Sequence, residues 1–87
     1  MDVKEAISLA KGYVQDIFSD ENISNLGLEE VEFDDNDREW RITLGFTRPW
    51  GDFRDSLYGK QRSYKIVKVS DASRRVTSIK NREPQPQ

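Results

Sequence analysis

Neither cysteine nor histidine occurs among the 87 residues of this chain. Without thiols there is no disulfide, no thiolate nucleophile and no cysteine-held zinc. Without imidazole, the commonest metal ligand and the side chain most used for proton transfer near neutral pH are both missing. Hydrophobic residues are scarce as well, at 34% of the sequence, so one small domain with a thin core is all the chain can build. No window approaches the roughly 20 consecutive apolar residues of a membrane-spanning helix. The opening stretch MDVKEAISLA shows neither a basic leader nor a secretory hydrophobic run, which gives a cytoplasmic expectation with no membrane partner. Glycine-rich phosphate loops, metal-ligand spacings and nucleophile elbows do not occur either. The chain therefore reads as a non-enzyme that carries no cofactor and no metal.

What is present is mostly structural information. From Trp40 the apolar residues Trp40, Ile42, Leu44 and Phe46 fall at every second position, with Glu39, Arg41, Thr43 and Gly45 between them. That is the period of a strand with one wet face, and it is the strongest strand signal in the chain. Upstream, Asp2 and Glu5 have the spacing of a helix N-cap and its reaching acid. Val3, Ala6, Ile7, Ala10, Val14 and Ile17 then recur at three- and four-residue intervals, with Leu9, Tyr13 and Phe18 widening the stripe. An amphipathic helix of about four turns, from near Val3 to Phe18, follows. Gly12 lies inside it at a cost of about 1 kcal/mol relative to alanine, which suggests a close approach of helix to sheet.

Ser19 to Gly27 reads as a polar connection, and its Asn22-Ile23-Ser24 matches a glycosylation acceptor only by chance in a chain without an export signal. Leu28 to Phe33 alternates as a first strand, and Asp34 to Asp37 closes a tight turn into the central strand. Those four oxygen-bearing residues are not a calcium loop of the EF-hand type, because Glu39 and Gly45 stand where its glycine and glutamate belong. Ser63 to Ser70 and Val76 to Asn81 supply two further strands around an Asp71 to Arg74 turn. In the third strand Lys65, Val67 and Val69 share one side and Tyr64, Ile66 and Lys68 the other, so its facing is open. There is no internal repeat. The expectation is an α+β domain over residues 1–82, with one N-terminal helix packed on one face of a four-stranded antiparallel meander, and a flexible tail at 83–87.

Charge is split along the chain. Residues 1–47 hold four basic and twelve acidic side chains, whereas residues 48–87 hold ten basic and four acidic ones, for a net of −2 overall. Either the two halves neutralise one another across the sheet or they form an electrostatic binding face.

Two places invite a partner. The stretch between the second and third strands mixes Arg48, Trp50, Phe53, Arg54, Leu57 and Tyr58, the aromatic-plus-arginine composition of interaction hot spots. The alternative for these side chains is to fold back over the open end of a thin core. Tyr64 and Ile66 form a second candidate patch on a helix-free sheet face, suited to a homodimer seam. A non-enzymatic protein-binding, accessory or inhibitor-like module is the leading functional expectation. Single-stranded nucleic acid, held by the basic and aromatic C-terminal half, is the alternative, and a pI near 5.1 stands against it. A small-molecule sensing domain is a third, by analogy of fold alone.

The stretch Tyr64 to Ile79, YKIVKVSDASRRVTSI, resembles the closing hairpin of PepSY-type domains, in which a Tyr-led strand enters an Asp-containing turn with Thr-Gly and leaves through a Val-rich strand. Ser73-Arg74 stands where that pattern has Thr-Gly, and Asp71 is displaced by one position from its acid. The likeness covers about sixteen residues. It implies a helix preceding the hairpin, no catalytic residues, and the accessory roles of that family, some of whose members inhibit or chaperone peptidases. PepSY domains are largely exported, whereas this chain shows no export signal, and no functional residue transfers by motif.

Overall fold

A computed structural model describes residues 1–49 and 63–82. The expected 83–87 tail lies outside the described residues, as does most of the candidate partner stretch. Helix α1 spans Val3–Ile17. It begins where the sequence places it, because the Asp2 carboxylate accepts a hydrogen bond of 2.8 Å from the Glu5 backbone N–H and satisfies one of the orphan donors of the first turn. A short 3₁₀ turn follows at Ser19–Glu21. Four strands follow among the described residues: β1 at Ser24–Asp34, β2 at Glu39–Thr47, β3 at Ser63–Ser70 and β4 at Arg75–Asn81. They lie in the order β1-β2-β3-β4, every neighbour antiparallel, and α1 packs across β2, β3 and β4. This is the expected helix-plus-meander architecture.

The core follows from two periodicities meeting. Ala6, Ala10 and Val14 recur every four residues down one line of α1, and their small side chains let the helix lie close to the sheet. Ile42, Leu44 and Phe46 of β2, with Val67 and Val69 of β3, form the opposing surface, and all eight side chains are fully buried. The facing of β3 is thereby settled: Val67 and Val69 lie under the helix, and Lys65 shares their side. Trp40 is partly buried at the far end and donates its indole N–H to the Asp71 carboxylate at 3.3 Å.

The registers align the sheet into rows. Glu30, Thr43, Ile66 and Lys80 form one row on the helix-free side, and Asp34, Glu39, Ser70 and Arg75 another, whose last member, Arg75 on β4, also borders the helix. On the helix side, Val31, Ile42, Val67 and Ile79 make one row, and Phe33, Trp40, Val69 and Val76 the next.

Three local expectations are corrected. Strand β1 starts at Ser24 rather than Leu28, because Asn25 takes a left-handed conformation (φ 57°) within the strand and the register shifts around it, so turn-like residues are accommodated as an irregularity. Gly12 does not mark a close approach: it is exposed, and a side chain there would meet nothing within 4 Å. The helix-free face is not wet throughout. Thr43 and Thr47 are 4% and 7% exposed, and Gly45 is buried. Thr43 is a short side chain on an interior strand, flanked by the longer Glu30 and Ile66.

Two outcomes follow. Leu44→Ala should destabilise the fold by about 2–5 kcal/mol, since it empties a fully buried site in a thin core, and denaturant unfolding followed by far-UV circular dichroism measures it. Gly12→Ala should raise the stability by about 1 kcal/mol in the same assay, because it relieves the helix penalty with no steric conflict.

Candidate functional site

Helix α1 presents a second apolar line beside the buried one. Leu9, Tyr13 and Ile17 are spaced by four residues and remain 40%, 38% and 44% exposed. They are displaced around the helix from the Ala6-Ala10-Val14 line, and Leu9 and Tyr13 face β4, the edge strand. Between helix and strand runs an open groove of about 700 Å³ lined by Ser8, Leu9, Gly12, Tyr13, Asp16, Arg75 and Val76. By periodicity alone Leu9, Tyr13 and Ile17 belong to the core-facing stripe. Their spacing was visible, but a stripe this wide exceeds what three strands can cover.

Of the residues expected at a partner site, Trp50, Phe53, Arg54 and Tyr58 lie outside the described residues. Arg48 is described and half-buried. Its guanidinium carbon lies 5.3 Å from the centre of the Phe18 ring and 5.7 Å from that of Phe46, two rings that themselves pack at 5.2 Å. Its Nε also stands 3.5 Å from the Glu21 carboxylate. Lys65 joins this group, with its ammonium 5.6 Å from the Phe18 ring and a hydrogen bond donated to Asn81. Cations stacked on rings thus close the end of the core beyond the last turn of α1. Burial holds the Lys65 ammonium below the ordinary lysine value; Arg48 pushes the same way and Glu21 opposes it.

Tyr64 and Ile66 do lie on the helix-free face, opposite Gly45 and Thr43 of β2, and both are half-buried. The Tyr64 ring is already approached by the Arg82 guanidinium at 5.8 Å. Elsewhere, bases of the C-terminal half meet acids of the N-terminal half: Lys68 lies 3.8 Å from Glu39 and Arg74 3.9 Å from Glu5, while Arg41 bridges Glu32 and Asp34 within β1 and β2. Part of the charge split is resolved in this way, with Lys68 meeting Glu39 across the sheet and Arg74 reaching Glu5 on the helix.

Among the described residues, the carboxylates of Asp34, Asp37 and Glu39 gather within 4.8 Å of one another. Asp34 accepts hydrogen bonds from the Asn36 and Asp37 backbone N–H groups and pairs with Arg41, and Glu39 pairs with Lys68. That is the chemistry of a closed turn. Compared with family models, curated proteins and solved structures, the chain matches none.

Because folding disfavours the Lys65 ammonium, the folded state sheds that proton at lower pH than the unfolded chain. The penalty is fully present at neutral pH and is relieved as pH climbs from the folded-state value towards the ordinary lysine value. Lys65→Met should therefore be more stable than the parent at neutral pH, with the gap narrowing in alkali. Denaturant midpoints of both proteins across neutral and alkaline pH give the comparison.

Proposed function

We propose that this chain is a non-enzymatic protein-binding module of the cytoplasm, an accessory subunit whose docking surface is the α1/β4 groove rather than the residues singled out from sequence. The exposed Leu9-Tyr13-Ile17 line beside β4, an edge strand among the described residues, carries this reading. An edge strand offers unpaired backbone N–H and C=O groups, and an adjoining groove takes alternate side chains of an added strand; together they suit recognition by strand addition. The lack of histidine and cysteine, and the likeness of the β3–β4 hairpin to PepSY domains, support an accessory role over a catalytic one. Single-stranded nucleic acid is less well supported, because Lys65, Lys68, Arg74 and Arg82 are already engaged with groups of the chain itself.

A photo-reactive amino acid in place of Tyr13 tests the reading in extracts of the native host. The expected result is a protein adduct from that position and none from Gln15, which is exposed on the same helix. Equal labelling from both positions, or none from Tyr13, would remove the groove as a docking site.

A further inference from the structure

The two edges of the sheet differ in chemistry. Strand β1 carries Glu29, Glu30, Glu32 and Asp34 and no base. Strand β4 carries Arg75 and Lys80 and no acid. Pairing either edge with the same edge of another copy would oppose like charges, so a two-fold dimer through β1 or through β4 is disfavoured. Opposite edges attract.

The rows of the sheet show how closely the edges match. The row that starts at Glu30 ends at Lys80, and the row that starts at Asp34 ends at Arg75. On the helix side, the row that starts at Val31 ends at Ile79, and the row that starts at Phe33 ends at Val76. A second copy added along the sheet's own twist, without slip, would set Glu30 against Lys80 on the helix-free face, Asp34 against Arg75 at the strand ends, and apolar against apolar on the helix side. Strands β1 and β4 run in opposite directions, so the new pair is antiparallel like every other pair in the sheet.

The helix fits the same arrangement. Helix α1 packs over β2, β3 and β4, and its exposed line faces outward past β4. Leu28 on β1 is left 39% exposed, and Val31 and Phe33 are only partly buried. We propose that the chain associates head to tail with copies of itself, the β1 edge of one copy adding to the β4 edge of the next beneath Leu9 and Tyr13. This rests on the groove reading above and names its occupant. The bulges at Glu29 and Thr77 confine regular pairing to the stretches between them and the strand ends. Because such an interface is not self-complementary, it does not close at two copies.

Sedimentation equilibrium of the purified chain over a range of concentrations at low salt tests this. The average mass should rise past that of a dimer without a plateau there and fall as salt is added. Lys80→Glu and Glu30→Lys should each weaken association by about tenfold, while the double exchange in one chain restores it; circular dichroism verifies that each variant is folded. A chain that stays monomeric, a plateau at the dimer, or a double exchange that fails to restore association would overturn the proposal. If Tyr13 labels a different protein while the purified chain remains monomeric, the protein-binding reading stands and self-association falls. If Tyr13 labels nothing, both fall.

Discussion

The contact between a line of small residues on one helix and the apolar rows of two interior strands is what everything else depends on. Ala6 and Ala10 contribute little apolar area themselves. Their value is that they bring the backbone of α1 near enough for Ile42, Leu44, Phe46, Val67 and Val69 to be shielded from water on that side. A helix with larger residues on this line would stand further off, and a core this thin has no second layer to fill the gap. The narrowness of the contact also explains what is left outside it. One line of α1 is consumed, and the neighbouring line of Leu9, Tyr13 and Ile17 faces solvent past the last strand.

The ends of that core are closed differently. At the β1–β2 and β3–β4 turns, Trp40 reaches Asp71, and the Phe33 and Trp40 rings pack at 4.8 Å. At the other end Phe18 and Phe46 are capped by Arg48 and Lys65, with Glu21 beside Arg48. Stacking cations on ring faces retains their hydration in part while shielding carbon from water. Burial at this end, with Arg48 close by, lowers the affinity of Lys65 for its proton.

Much of this architecture could be read from residues alone. The Asp2 cap, the four-residue recurrence of Ala6, Ala10 and Val14, and the alternation through Trp40 to Phe46 each have a local cause, and each appears in place. Where local chemistry and tertiary pairing disagree, the sequence misleads. Ser24 to Gly27 looks like a turn and is strand, because pairing with β2 holds the segment extended around one left-handed asparagine. Arg74 (φ 56°) and Arg38 (φ 53°) take left-handed turn positions that glycine usually fills. The groove was not legible: whether a helical residue belongs to the buried or the outward line depends on which strands lie beneath it, and no periodicity records that. The complementary row ends escaped for a related reason, since they exist only once three registers are known together.

Phe46 and Ser63 are registered partners at the end of β2 and β3, so the sheet holds those two residues together regardless of what joins them. That registered pair is the first rung of a ladder that runs unbroken to Glu39 and Ser70, so the two strands are aligned over the whole length of β3 by their own backbones.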